Sequence, residues 1–243
     1  MEKIKFKNQE IEFEIIRSSR KTIGIIVNAD QELIVRSPKR TSIRNIKNLL
    51  KEKENWILEK LAKMSEIKAS PKDKEFISGE TLYFLGKEYK LIPIAEANIK
   101  SLEIELVEET LIIRFPVELE DNKEKRKTEI RGKLISWYRS QAKTKINELI
   151  NIHKKYLDVE PNKIVIKKQK KRWGSCSGKK NLNFNWKIIM APQKVIEYLV
   201  VHELVHLIHP NHSKDFWQTV AETIPDYEEK KEWLRINGRL LTI

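Results

Sequence analysis

The stretch that decides the reading runs from Pro192 to Ser213, PQKVIEYLVVHELVHLIHPNHS. Pro192 suits the first turn of a helix, where its missing N–H has no partner to lose. From Val195 and Ile196 to Leu207 and Ile208 the segment is apolar on nearly every face. Such a helix belongs in the middle of a domain. Its polar exceptions, His202, Glu203 and His206, therefore need a reason to be there, because burying polar groups without partners is costly.

Their spacing supplies one. Positions i and i+4 of a helix lie one turn apart and differ in direction by about 40°. Two imidazoles so placed can converge on one Zn2+ at about 2.0–2.1 Å. Glu203 points to a neighbouring face, within reach of a water on the ion without being a ligand. Zinc lowers the pKa of that water toward about 7; Glu203 takes the proton and later returns it to the leaving group.

A catalytic zinc keeps three protein ligands and one open position. Four of the five histidines fall within residues 202–212. His212 is the expected third ligand, six residues after His206, the spacing of the metzincin motif HExxHxxGxxH. The glycine of that motif is replaced by His209, and no methionine follows to build a Met-turn. Pro210 instead stops the helix, and Asn211 can make the bend that returns His212 to the ion. His209 is expected beside the site and not in it. The remote acids Glu222 and Glu228 are weaker alternatives. Ser213 is expected to cap a helix over 214–223, with Phe216 and Trp217 packing it onto the HELVH helix.

Upstream, Lys163–Lys168 and Asn181–Trp186 read as strands, either of which could hold an extended peptide at its edge. Between them lies a basic loop, Gln169–Lys180, whose Arg172 and Trp173 could line a cleft. Tyr198 and Tyr227 are candidate oxyanion donors. Cys176 reads as a small hydrophobe, with thiolate ligation as the alternative.

The segments Lys171–Ser177 (KRWGSCS), Asn181–Trp186, Met190–Pro192, HELVH, and Asn211–Ser213 with Phe216-Trp217 together resemble the YgjP-like metallopeptidase domain family. That family is similar to the SprT-like zinc peptidases. The resemblance is strong in the C-terminal half and looser before it. It implies a zincin-type domain, with His202, His206 and His212 as metal ligands and Glu203 as general base. Peptide-bond hydrolysis is the leading expectation. A metal-dependent hydrolase of a phosphoanhydride and a nucleic-acid-associated peptidase are the alternatives.

The fold class is α+β. The first 40 residues read as strands, with a hairpin turn at Asn28-Ala29-Asp30, and residues 42–64 as one long helix. Hairpins follow over Leu82–Leu91 and over Leu102–Phe115, and no internal repeat is read. The polar run Val117–Thr128 suggests a boundary, giving a β-rich module over 1–122 and a catalytic domain over 123–243, opened by a long helix that ends near His153–Leu157.

The formal charge of +13 follows that division. Residues 1–122 carry 22 basic and 22 acidic side chains, and residues 123–243 carry 26 and 13. Eight basic and no acidic residues lie between Pro161 and Lys180, a candidate contact for nucleic acid or another polyanion. A single cysteine excludes an internal disulfide framework. With no signal-like N-terminus and no membrane-length apolar run, a cytoplasmic protein is expected.

Overall fold

The computed structural model describes residues 1–7, 9–28, 30–69, 71, 73–169 and 172–243. It divides into two compact units, Met1–Ala69 and Ser70–Ile243. The first holds β1 (Glu2–Phe6), β2 (Gln9–Ser18), β3 (Gly24–Val27) and β4 (Leu33–Pro38), then α1 (Ile43–Glu52) and α2 (Glu54–Ser65). Its sheet order is β1-β2-β4-β3, with only β2 and β4 parallel. Period-two alternation sends Ile4, Phe6, Phe13, Leu33 and Val35 into a core with Ile46, Leu50 and Ile57 of the helices. The single helix expected over 42–64 is two, separated at Lys53. Ser42 caps the first, its hydroxyl accepting from the Asn45 N–H. Of the expected turn at 28–30, Ala29 lies outside the described residues.

The second unit begins with β5 (Thr81–Phe84), β6 (Lys87–Glu96), β7 (Glu103–Val107) and β8 (Thr110–Pro116), in the order β5-β6-β8-β7. This sheet repeats the first, strand for strand. Phe6, Phe13, Leu33 and Pro38 correspond to Phe84, Leu91, Leu111 and Pro116, always 78 residues on. The registers agree: Phe6 faces Gln9 as Phe84 faces Lys87, and Ser18 faces Pro38 as Glu96 faces Pro116. The β4 sequence LIVRSP returns in β8 as LIIRFP. The chain thus contains an internal repeat that the sequence reading passed over.

Next come α3 (Lys123–Tyr156), β9 (Lys163–Lys167), β10 (Gly174–Cys176) and β11 (Asn181–Asn185), and a 3-10 turn at Trp186–Met190. They are followed by α4 (Gln193–Val205), α5 (Lys214–Thr223) and α6 (Tyr227–Asn237). β11 is central in a three-stranded sheet, parallel to β9 and antiparallel to β10. Mixed α+β architecture is as expected.

The division falls at 69/70 and not at 122/123, and the packing explains why. Leu82, Leu91, Leu111 and Ile113 share one core with Ile130, Leu134 and Tyr138 of α3 and Val195 and Leu199 of α4. The Tyr138 hydroxyl donates to the Tyr83 carbonyl at 2.8 Å. The β5–β6 turn has positive φ at Leu85 (50°) and Gly86 (81°), the backbone a two-residue hairpin requires. Its N–H groups donate to the carbonyls of Ile189 and Met190 at 2.8 and 3.1 Å. A Cβ at Gly86 would lie 2.7 Å from Pro192 Cα, so the hairpin seats the start of α4. The polar run 117–128 is a 3-10 turn and the first turns of α3, capped by Asn122. Among the described residues no helix is long and apolar enough to cross a membrane.

Candidate metal centre

α4 is buried along most of its length, and its last turn delivers the polar residues. His202 is half-buried and Glu203 only 3% exposed. The helix ends at Val205, one residue before His206, which keeps helical backbone angles as the C-cap. The i, i+4 relation therefore holds. Leu207 is half-buried and Ile208 is exposed, not core as the periodicity suggested. The chain then turns through Pro210 and Asn211, and His212 comes back over the end of α4.

The three candidate ligand atoms of His202, His206 and His212 lie within 4.8 Å of one another, with two Nε2 atoms, of His202 and His212, 3.1 Å apart. Two ligands on a tetrahedral zinc stand about 3.3 Å apart, given Zn–N bonds near 2.05 Å. His206 Nδ1 lies 3.1 Å from the His209 carbonyl. A carbonyl only accepts, so Nδ1 carries the proton and Nε2 keeps its lone pair, the orientation a metal-ligating imidazole needs.

Phe216, the first buried residue of α5, is the floor. Its ring centroid is 4.6–4.9 Å from all three imidazoles. Trp217 stacks on His212 at 5.5 Å and on Tyr227 at 5.3 Å, with Lys231 Nζ 4.0 Å above the indole. Ser213 caps α5 as expected, accepting from the Phe216 N–H at 3.4 Å. His209 is turned away and bonds Thr219 at 3.2 Å. Among the described residues no carboxylate and no cysteine joins the three histidines, so Glu222, Glu228 and Cys176 stand outside the cluster.

Opposite Glu203 lies β10, a strand hidden inside what reads as a basic loop. A Cβ at Gly174 would sit 2.4 Å from Glu203 Oε1 and 2.8 Å from its Cγ. Only glycine allows this approach. Because β11 is central, the sheet edge beside the site is β10, and neither β9 nor β11 fills that place. Asn185, 5% exposed, fixes the preceding segment by donating to the carbonyls of Gln169 and Arg172, while its own N–H donates to the Trp173 carbonyl at 2.7 Å. Trp173 lines a cleft, as expected, and also packs against Gly238. Lys170 and Lys171 of the basic stretch lie outside the described residues.

The electrostatics fit a cation. Burial first, then the charges of His206 and His212, push His202 down to about 3. Burial also lowers His206, so both offer lone pairs at neutral pH. Burial pushes Glu203 up to about 8, with the Arg172 guanidinium pulling the other way. Glu203 Oε2 and His202 Nδ1 are buried without a hydrogen-bond partner, two of four such atoms among the described residues. A divalent ion at the three imidazoles would stabilise the Glu203 carboxylate and invert this local pKa logic. The residues present therefore fit a metal ion.

Helix, histidine triangle and buried glutamate together make a site that could hold a metal ion beside a carboxyl group. The profile described as YgjP-like, metallopeptidase domain, matches residues 21–237, and the chain belongs to that family. Among solved structures, the metallopeptidase zymogen of Pyrococcus abyssi abylysin is 24% identical, with 39% of this chain and 94% of that chain covered and a TM-score of 0.35. No curated protein matches the chain.

Proposed function

We propose that the chain is a zinc-dependent peptidase in which His202, His206 and His212 hold the metal and Glu203 is the general base. One observation carries the reading: a buried carboxyl oxygen without a partner, on the same cleft wall as three imidazoles whose ligand atoms lie within 4.8 Å of one another. Bound zinc would supply Lewis acidity, acidifying a water and polarising a carbonyl.

The chain's own groups do the rest. Glu203 accepts the proton of the attacking water at its carboxylate and passes it to the leaving nitrogen. The free edge of β10 offers N–H and C=O groups to an extended substrate. Of the two tyrosines, Tyr198 lines a cleft with His202 and Glu203 and is the better-placed oxyanion donor. Tyr227 is held by its stack on Trp217 and donates its hydroxyl to Glu228 at 3.3 Å.

Purified protein should carry roughly one zinc per chain by elemental analysis, since three imidazoles and an open position make a single site. His212→Ala should lose it. Glu203→Gln should keep the zinc and lose hydrolysis of a peptide library, and a fully active Glu203→Gln enzyme would end this mechanism. Nucleotides run in parallel address the phosphoanhydride alternative.

A further inference from the structure

Two open clefts meet at His202 and Glu203, one of about 770 Å3 and one of about 330 Å3. Arg172 lines both. Lys180 lines the larger, and Lys231 and Arg235 line the smaller. Against these four cations, Glu203 is the only carboxylate on either wall among the described residues.

The cations are mostly uncompensated. Among the described residues neither Arg172 nor Lys180 forms an ion pair, the one carboxylate acting on Arg172 being Glu203 itself, and Lys231 rests on the Trp217 ring. Arg235 pairs with Glu232. β10 separates the two ends of this arrangement, with Arg172 before it in the chain and Lys180 after it. Its three residues span about 10 Å of sheet edge, along which alternate residues turn their N–H and C=O away from β11. A peptide paired there extends past a cation at each end.

Resting on the peptidase reading, we propose that this site selects acidic peptide segments, with Asp or Glu side chains on both sides of the scissile bond. The walls favour a peptide over a nucleic acid. Main-chain edge groups match a peptide backbone, Leu207, Ile208 and Leu234 add apolar contact, and Trp173 packs against Gly238 where base stacking would need its face.

The test uses zinc-loaded full-length protein and octapeptide pools whose residues flanking the central bond are Glu, Gln or Lys. The Glu pool should be cleaved about tenfold faster in kcat/KM than the isosteric Gln pool, as expected of two or three exposed charge pairs. Combining Arg172→Glu with Lys180→Glu should invert the Glu-to-Lys preference. Equal cleavage of the Glu and Gln pools would overturn the acidic specificity and leave the peptidase reading standing. If no pool is cleaved by metal-loaded protein, the peptidase reading falls and specificity is read from binding alone. For that arm, fluorescein-labelled Glu and Gln peptides are titrated by anisotropy onto Glu203→Gln. About tenfold tighter binding of the Glu peptide supports the proposal. Equal binding, or tighter binding of a single-stranded oligonucleotide of equal charge, overturns it.

Discussion

Gly174→Ala adds one methyl group where the structure has none to spare. That carbon would stand 2.4 Å from Glu203 Oε1 and 2.8 Å from Cγ and Cδ. Carbon and oxygen in contact need about 3.4 Å, so the carboxylate and β10 must separate by about 1 Å. Glu203 is 3% exposed and sits in close-packed surroundings, which resist such a move. Overpacking of this kind costs about 1–3 kcal/mol of stability, too little to unfold a typical domain. Misplacing a catalytic group by about 1 Å costs about 100-fold in rate. Gly174→Ala should therefore fold, bind zinc with wild-type stoichiometry, and turn over a cleaved peptide about 100-fold more slowly. Zinc content, circular dichroism and kcat measured on one preparation separate these effects. In a Glu203→Gln background the methyl should cause no further loss, because both changes act on one group. Turnover by Gly174→Ala within about twofold of wild type would refute the reasoning that this approach fixes the base.

Trp217→Ala removes the plane against which His212 stacks, and should weaken zinc affinity by about 10–100-fold in a chelator competition, as loss of ligand support does; Trp217→Phe should restore most of it. The metal-stripped protein should lose stability as pH rises from 6.5 to 8. Glu203 holds its proton to about 8 when folded, against an ordinary 4.5, so the unfolded chain binds fewer protons across that window. His202, depressed to about 3, and His206, also lowered by burial, work in the opposite sense as their unfolded imidazoles lose protons around the ordinary 6.5. The net loss is about 1 kcal/mol in urea melts between pH 6.5 and 8, and Glu203→Gln should abolish it; identical pH slopes in the two proteins would contradict the burial account. Residues 70–243 expressed alone should unfold cooperatively and still bind zinc, because among the described residues that unit has cores of its own, built from Phe76 onward; a molten product would show otherwise.

HELVH was legible because its three polar residues fall within five consecutive positions and their geometry follows from helical period alone. His212 was legible from spacing and from Pro210. Phe216 was expected to pack on the HELVH helix, but Gly174 and Asn185 act through space, from separate elements, and no local pattern marks them. β10 was hidden because GSC lacks the branched and aromatic residues that mark strands. The domain boundary was misplaced because exposed polar residues at the start of a long helix look like a linker. Residues 1–69 carry 16 basic and 10 acidic side chains and residues 70–243 carry 32 and 25, so the two units hold +6 and +7. The basic character is shared, and what is local is the set of cations along the two clefts. The repeat, by contrast, was there to be read in LIVRSP and LIIRFP.

That repeat gives the folding chain a problem of self-recognition. Before either sheet closes, β2 meets two parallel partners of nearly the same sequence, β4 and β8, and a hybrid sheet joining the two copies would satisfy the same backbone ladder. Such mispairing is a typical failure of repeated units in one chain. Among the inward-facing residues of these strands, the clearest difference between copies is Ser37 against Phe115, both nearly inaccessible in their own cores. Exchanging the strands would force a phenyl ring into a space shaped for a hydroxymethyl group and leave a void in the other copy, penalties that fall on the hybrid and spare the native pairing. Ser37 and Phe115 thus set a steric penalty on the exchanged pairing that the native sheets do not carry.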